Sequence, residues 1–502
     1  MKRWMILASV SLTVLTAGAV FAETCLSPYI KSLRQPEKVM YLWTLPAGTG
    51  PDYLSVVDVN LASPTYGKIL RKVEVGSSGN EAHHMGFTDD RTKIWAASLN
   101  TSRFFIFDVG GDPMNPRLVR TVDDVPRVTG LSGPHTPYAI PGRILISMAS
   151  GPEGTGPGGL AEFTNDGEFI ASYKTPNHPY ETVVKPEFNR MITSSWVAQR
   201  TFMSPLNTWD PKDFSSSLLV WDLKARKVIQ ELKGDPIPLA ARWMLKPNAT
   251  YGYNISNGGD SIWMFRRQND GTFTYRKVAD VGKGCLPGDL RQSPDDRYLY
   301  VSCIGGSEVQ AWDVTTPDKP RLHDTVGGIV QANMMHVTFD GRRLYVTNSA
   351  ISSIDYSPRY ALRLIRIGPD GRMKLDPLFA LDFSQAPDGP ARPHDMLLNY
   401  FMGGPRNGPP NPPRSERPAG ARDVLDILLR ATVSPPGRKR HCPTKRQPKF
   451  RRLYAALRIS SHRSASHARR RADRDHGAGA TDQAARGRRA GRRHVGRLGA
   501  LG

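Results

Sequence analysis

The chain has few cysteines and lacks motifs for nucleotide binding or serine catalysis. Its 502 residues include four cysteines, and no two of them form a CxxC pair, which argues against a zinc–thiolate site. No Gly-rich phosphate loop and no GxSxG elbow occurs. Cys285 and Cys303 fit either one disulfide in an oxidising compartment or two unpaired thiols.

Long apolar runs are also missing, apart from one at the N-terminus. Lys2 and Arg3 follow the initial Met, an apolar stretch runs from Trp4 to about Val14, and Ala22 ends a cleavage site of small residues. The stretch is shorter than the roughly 20 residues of a membrane span. Residues 1–22 are therefore predicted to be a cleaved signal peptide that exports the protein to the periplasm. An uncleaved membrane anchor is the alternative.

Acidic residues are scarce only near the C-terminus. The net charge is +22, but residues 399–502 hold 25 Lys and Arg against 6 Asp and Glu, while the rest holds 43 against 40. The basic excess therefore belongs to a tail rich in Arg, Pro and Gly, and nucleic acid is not indicated as a partner of the body. Such a composition buries too little surface to fold. Residues 399–502 are predicted to be disordered or an out-of-frame read of GC-rich DNA.

What the body contains is a repeat of turns followed by short β-rich strands. The markers of the repeat are spaced 52, 47, 61, 46 and 46 residues apart, at Arg91, Arg143, Arg190, Tyr251, Arg297 and Arg343. A propeller blade needs four strands and about 40–50 residues. Residues 25–398 are therefore predicted to form an all-β, seven-bladed β-propeller, in which early strands and the segment around His394 close the last blade. Six blades with an N-terminal extension are the alternative.

Three histidines share one position relative to these markers. His84, His135 and His336 precede their markers by 7, 8 and 7 residues, just before the strand expected to be innermost. His394 opens the last inner strand, and His83 adjoins His84. A propeller brings such positions together on its axis, and imidazole nitrogens bind Zn, Cu, Fe and Ni. We predict a metal site of these five histidines, with copper favoured, against the alternative of structural, hydrogen-bonded histidines.

Carboxylates fall near the same position in other blades. Glu181, Arg242 and Asp289 precede their markers by 9, 9 and 8 residues. A carboxylate near the axis is suited to general-base catalysis, and ion pairing with Arg242 is an equal alternative. The candidate catalytic residues are therefore His84, His135, Glu181 and Asp289.

Eight segments follow one another between Pro51 and Leu398. They are "PDYLSVVDVN", "NEAHHMGF", "SRFFIFDVGGDPMNPRL", "SSLLVWDLKARKVIQEL", "DDRYLYVSC", "AWDVTTPDKPRL", "DGRRLYVTNS" and "GPARPHDM". This ordered set resembles the selenium-binding protein and methanethiol oxidase family. The double histidine followed downstream by "PHT" and "PHD" is its most specific part.

The resemblance implies a β-propeller and, for bacterial members, an exported copper-dependent oxidase. That enzyme converts methanethiol, O2 and water to formaldehyde, hydrogen sulfide and hydrogen peroxide. By the family pattern its ligands map to His83, His84, His135 and His394, and its partners are a small thiol and O2. A non-catalytic selenium- or copper-binding periplasmic protein is the alternative. A calcium-dependent lactonase is disfavoured, because calcium prefers oxygen ligands; homo-oligomer formation is left open.

The chain departs from the family pattern in two places. Animal members carry a Cys-containing segment shortly after the double histidine, whereas here Phe87-Thr88-Asp89-Asp90 leads directly into a strand. The basic tail also replaces the closing Gly- and Asp-containing segment of other members. Selenium binding through that thiol is therefore not expected.

Overall fold

Alternating patterns of apolar and polar residues give this chain strands rather than helices. The computed structural model describes residues 27–33, 35–386 and 389–400. The predicted signal peptide and the predicted basic tail beyond residue 400 lie outside the described residues. Asn399, which the prediction assigned to the tail, instead ends a β-strand. The described chain forms seven four-stranded sheets, and it has two short α-helices, α1 (Val125–Thr129) and α2 (Gln199–Met203). None of the described helices is long and apolar enough to cross a membrane.

The strands fall into seven consecutive blades, of which one combines both ends of the described chain. That closing blade, blade 7, contains β1 (Val39–Pro46), β2 (Tyr53–Asp58), β3 (Ile69–Glu74) and β28 (Ala391–Asn399). Blades 1 to 3 contain β4 (Ala82–Phe87), β5 (Lys93–Ser98), β6 (Phe104–Asp108), β7 (Arg117–Val122), β8 (Ser132–Ile140), β9 (Arg143–Ser150), β10 (Gly159–Thr164), β11 (Phe169–Lys174), β12 (Pro179–Lys185), β13 (Arg190–Ser195), β14 (Ser217–Asp222) and β15 (Lys227–Lys233). Blades 4 to 6 contain β16 (Pro238–Trp243), β17 (Tyr251–Ser256), β18 (Ser261–Arg267), β19 (Phe273–Asp280), β20 (Pro287–Gln292), β21 (Tyr298–Cys303), β22 (Glu308–Asp313), β23 (Arg321–Gly327), β24 (Met335–Val337), β25 (Arg343–Val346), β26 (Ala361–Ile367) and β27 (Met373–Asp382).

Blade 7 closes the ring. Strand β28 pairs antiparallel with β1, with Met40 opposite Leu398, and the sheet continues through β2 to β3. Both ends of the described chain thus share one sheet, which removes edges that would otherwise invite pairing with other chains. The seven-bladed prediction and its mode of closure are confirmed, and the alternative of six blades is wrong.

Burial falls from the inner strands to the outer strands of each blade. Every residue of β4, the strand of blade 1 nearest the axis, is buried, because the faces of the inner strands pack against neighbouring blades and have no solvent side. In the outermost strand β15, exposed residues alternate with more buried ones, as expected where one face meets water. The buried aromatic rings of Trp43, Trp95 and Trp221 pack between neighbouring blades.

The innermost strands are not the ones that the sequence pattern indicated. The strand after each marker turn is the second of its blade, and the preceding strand faces the axis. These preceding strands contact one another in a closed ring around the axis, from β28 to β4, β8, β12, β16, β20 and β24. The predicted histidines therefore lie within the innermost strands rather than before them.

Of the two alternatives for Cys285 and Cys303, the structure has the disulfide. The bond ties the loop before β20 to the end of β21. Cys285 is 4% exposed and Cys303 is fully buried.

Candidate metal centre

A recurring irregularity in the innermost strands positions the site. In six blades, two residues of the innermost strand lie opposite a single residue of the second strand. Such a β-bulge re-aims side chains that regular alternation would send to opposite faces. At this bulge blade 1 carries both His83 and His84, blade 2 carries His135, and blade 7 carries His394.

The four bulge histidines form one compact group. The ring centroids of His83 and His394 are 4.0 Å apart, and those of His84 and His135 are 4.2 Å apart. Nε2 of His83 lies 2.9 Å from Nε2 of His135. Nitrogens of His83, His84 and His135 all lie within 4.8 Å of one another, and no histidine of the four is more than 5% exposed.

Hydrogen bonds fix which nitrogen of His394 and His135 carries the proton. Nδ1 of His394 lies 3.1 Å from the carbonyl oxygen of Ser349, and a carbonyl only accepts, so this nitrogen is the donor. Oγ1 of Thr136 donates to the Tyr180 carbonyl at 3.2 Å and accepts from Nδ1 of His135 at 2.9 Å. In both rings Nε2 is left with its lone pair, which is the state that binds a metal ion.

The remaining nitrogens of the group lack partners. Within the described part of the chain, Nδ1 of His83, Nε2 of His84 and Nε2 of His394 make no hydrogen bond. Buried polar atoms normally have a partner, so three such atoms in one cluster need an explanation. A metal ion bound between the rings would satisfy them.

Electrostatics keep the group neutral. Burial, reinforced by the neighbouring imidazoles, lowers the pKa of His83 and His84 well below the usual value. Burial does the same to the pKa of His135 and lowers the pKa of His394 to about 3. Neutral imidazole is the form that coordinates metals.

Asp395 supports the group from its edge. Its Oδ2 lies 3.7 Å from Nδ1 of His84 and accepts the backbone N–H of Met85 at 2.8 Å. Burial raises the pKa of Asp395 to about 6. A carboxylate behind a histidine orients the ring and raises its basicity as a ligand.

His336 lies at a different register from the bulge histidines. His336 lies opposite Tyr345 in blade 6, just as Gly86 lies opposite Trp95 in blade 1. His336 is therefore equivalent to Gly86, which follows His84 by two residues. Its Nδ1 lies 3.3 Å from the carbonyl oxygen of Met396, and it lines a cavity that His84 reaches from another side. The shared register inferred from the markers is wrong for His336, because Arg91 lies two residues earlier in its turn than Arg343 does in the turn of blade 6.

Glu181 and Asp289 occupy the second bulge position in blades 3 and 5, where they are engaged in structural contacts. Glu181 lies 2.6 Å from Arg242 and accepts the N–H of Ala241. Asp289 lies 3.1 Å from Arg291 and accepts the N–H of Met335. The structure thus has the ion pairing with Arg242 that was the alternative to catalysis, and a catalytic role for either carboxylate stays a prediction.

Tyr180 is a site residue that the sequence pattern missed. Its ring centroid lies 3.7 Å from that of His135 and 6.2 Å from that of His84. Tyr180 occupies the first bulge position of β12, the place that His83 and His135 occupy in their strands. Aligning the inner strands on the bulge, rather than on the marker turns, would have revealed it.

A cavity of about 60 Å³ adjoins His84 on the axial side of the group. Its walls combine charged side chains with apolar ones, and the N-terminal residues Ser27 and Ile30 close it from below. Oγ of Ser27 donates to the carbonyl of Ala139 at 2.7 Å and holds this closing segment in place.

Comparison with known proteins places the chain in a family. The family model described as 56kDa selenium binding protein (SBP56) matches residues 24–404. The chain belongs to this family. Proteins named methanethiol oxidase are similar along most of their length: that of Hyphomicrobium sp is 32% identical, covering 76% of this chain and 91% of the relative. The human one is 29% identical, covering 73% and 94%.

Solved structures agree with the fold. A hypothetical selenium-binding protein from Sulfolobus tokodaii superposes with a TM-score of 0.66 at 26% identity, covering 72% of this chain and 94% of its own. A periplasmic gluconolactonase of Pseudomonas aeruginosa reaches a TM-score of 0.53 at 13% identity, covering 72% and 98%. This second likeness is one of fold alone.

Proposed function

We propose that this protein is a copper-dependent methanethiol oxidase. The observation that carries the proposal is the convergence of four neutral, buried imidazoles, three of which have a nitrogen without a partner among the described residues. Relatives named methanethiol oxidase, 28–32% identical over most of their length, support the choice of substrate.

The donor set fits copper. Imidazole is a good ligand for copper, whereas the hard cations calcium and magnesium prefer oxygen. The nearest carboxylate, Asp395, already accepts two backbone N–H groups. Cys285 and Cys303, the cysteines within the described chain, are consumed by their disulfide, so selenium binding through a thiol has no support among these residues.

The overall reaction is balanced. Methanethiol, O2 and water give formaldehyde, hydrogen sulfide and hydrogen peroxide, with the methyl carbon oxidised by two electrons and O2 reduced by two. The four bulge histidines would hold the copper ion, which would supply affinity for a soft sulfur ligand and a redox couple between the thiol and O2.

The chain itself contributes orientation and exclusion of water. Ser349 and Thr136 hold the Nδ1 protons of His394 and His135, which aims both Nε2 lone pairs inward. Tyr180 packs against His135 and limits movement of that ring. Because the group is buried, electrostatic interactions inside it are stronger than they would be in water.

Export to the periplasm is part of the proposal. The signal-like N-terminus supports it, and so does the Cys285–Cys303 disulfide, because such bonds persist in oxidising compartments.

The proposal is tested by measuring copper content and methanethiol-dependent O2 uptake of the full-length protein, together with sulfide and peroxide formation. We expect stoichiometric copper and uptake, both lost in His135→Ala. The matched control is His323→Ala, in the outermost strand β23, which should keep both. Copper without uptake would instead indicate a copper-binding protein that is not an enzyme, and absence of copper would refute the metal assignment.

A further inference from the structure

Two long connections lie over the histidine group. Residues 196–216 join β13 to β14 in blade 3, and residues 347–360 join β25 to β26 in blade 6. Corresponding connections elsewhere are short, such as residues 99–103 in blade 1. We call the two long connections together the cap.

The two parts of the cap meet above the axis. Phe202 and Trp209 of the first connection share an apolar cluster with Ile351 and Ile354 of the second. Oγ of Ser353 donates to the carbonyl of Phe202 at 2.6 Å and joins the two parts directly. Because blades 3 and 6 lie on opposite sides of the ring, this seam crosses the face of the propeller.

The cap contacts the histidine group from above. The carbonyl that fixes His394 belongs to Ser349 of the second connection. Trp196 of the first connection packs against Tyr180 at 5.8 Å, and Tyr180 packs against His135 at 3.7 Å. Phe202 stacks on Trp196 with centroids 4.9 Å apart. The aromatic rings thus form a continuous layer from the seam to the histidines.

The two sides of the histidine group differ in polarity. The axial side presents salt-bridged Arg242, Glu181 and Arg291, and Ile30 closes it below. Along the seam the cap side presents aromatic rings and apolar chains, and the charged groups of that side, Arg392, Asp355 and Glu81, are paired with one another. A neutral thiol and O2 cross an apolar layer at lower cost than a layer of desolvated charges, whereas water is favoured on the charged side.

We propose that the cap seam is the entrance for thiol and O2 and restricts the site to thiols about the size of methanethiol. The choice of thiols rests on the proposed oxidase function, whereas the control of access to the histidines does not. Phe202 and Ser353 are the specificity-determining positions, because they hold the two parts of the seam together.

The test uses two readouts on the full-length, copper-loaded protein. The first is the rate at which the neutral chelator 2,2′-bipyridine removes copper, and the second is the ratio of ethanethiol to methanethiol oxidation. In Phe202→Ala we expect faster copper removal and a ratio raised by about 10-fold, the usual scale for one methylene in an apolar pocket. Ser353→Ala, which loses only the seam hydrogen bond, should shift both readouts in the same direction by less.

Two control variants distinguish opening of the seam from a general loss of stability and from entry through the axial cavity. Phe273→Ala makes the same truncation at a buried position of blade 4 and should change neither readout. Ile30→Ala loosens the axial closure. Faster copper removal in Ile30→Ala with none in the seam variants would overturn the proposal.

The outcomes also separate this inference from the proposed function. If the native protein binds copper but oxidises no thiol, the oxidase function fails, and faster copper removal in Phe202→Ala still supports the entrance. If the native protein oxidises methanethiol and the seam variants match it in both readouts, the entrance is refuted while the oxidase function stands.

Discussion

The same β-bulge has different roles in two parts of the ring. The first group consists of blades 7, 1 and 2, and the second of blades 3 to 5. In the first group the bulge carries His394, His83, His84 and His135. In the second group its second position carries Glu181 in blade 3 and Asp289 in blade 5. Each of these carboxylates accepts a backbone N–H from the innermost strand of the following blade. One half of the ring gathers imidazoles, and the other fastens blades together.

The difference shows where a ligand can bind. In the carboxylate half the charged groups are satisfied by Arg242, by Arg291 and by backbone N–H groups. In the histidine half three ring nitrogens have no hydrogen-bond partner within residues 27–33, 35–386 and 389–400. Asp395 belongs to both patterns, since it accepts the N–H of Met85 in the next blade and also lies beside His84. The bulge turns side chains toward the axis, and a metal ion can bind where those side chains keep ring nitrogens without a hydrogen-bond partner.

The largest expected effect comes from removing a ligand in the histidine half. His135→Ala should abolish methanethiol oxidation and stoichiometric copper binding, because it deletes the ring in contact with His83, His84 and Tyr180. His336→Ala should keep copper, since that residue lies two positions beyond the bulge. Copper content is measured by elemental analysis, and loss of copper in His336→Ala would return His336 to the set of metal ligands predicted from the sequence.

The carboxylate half should respond through stability instead. Arg242→Met leaves Glu181 and part of Asp289 without their cation in a buried setting. Removing one partner of a buried ion pair costs about 3–5 kcal/mol. We therefore expect the free energy of unfolding, measured with denaturant, to fall by that amount while copper content is unchanged. Arg117→Met, which removes an exposed pair with Asp108, should cost less than about 1 kcal/mol. Equal costs for the two variants would contradict the distinction.

Asp395 and Asp289 allow the same substitution in both halves. Asp395→Asn keeps an oxygen that can accept the N–H of Met85 but removes the charge beside His84. We expect a roughly 10–100-fold loss of copper affinity, the usual effect of changing a partner behind a ligand. Asp289→Asn should leave copper affinity unchanged, and competitive titration with a chelator measures both. Similar losses in the two variants would mean that the halves are not functionally separate.

The pH dependence of the metal-free protein should also depend on the histidine half. Below about pH 6.5 the unfolded chain protonates His394, whereas the folded chain, with a pKa of about 3, does not. Stability therefore falls as pH falls, by about 1.4 kcal/mol per pH unit for this residue, or about 2 kcal/mol between pH 6.5 and 5. His394→Asn should lower the slope of the unfolding free energy against pH by about 1.4 kcal/mol per pH unit. An unchanged slope would show that His394 is not buried as a neutral ring.

Much of the fold was accessible from the sequence. Turn spacing and strand composition predict six blades, and closure by early strands with the segment around His394 predicts the seventh. The alignment of equivalent residues between blades was harder to predict from the sequence. Lys93 bonds to Thr88 as Arg343 bonds to Thr338, so Arg91 is not the equivalent of Arg343, and an alignment on arginines moves His336 by two places.

The features missed by the sequence depend on tertiary contacts. Tyr180 shares the bulge position with histidines of other blades, but a tyrosine beside a glutamate gives no signal of its own. The cap is built from loop residues far apart in the chain, such as Phe202 and Ile351, whose meeting follows from the ring closure. The unsatisfied nitrogens of the histidines likewise become visible only when every neighbouring donor and acceptor is placed.

The central claim is that His83, His84, His135 and His394 hold one copper ion. Crystals of the copper-loaded protein, measured on both sides of the copper absorption edge, test it most directly through the anomalous difference map. The account predicts a single copper peak among these four rings, within bonding distance of their inward nitrogens. A peak elsewhere, at His336 or among the carboxylates of blades 3 to 5, or no peak in protein that retains methanethiol oxidation, would contradict it.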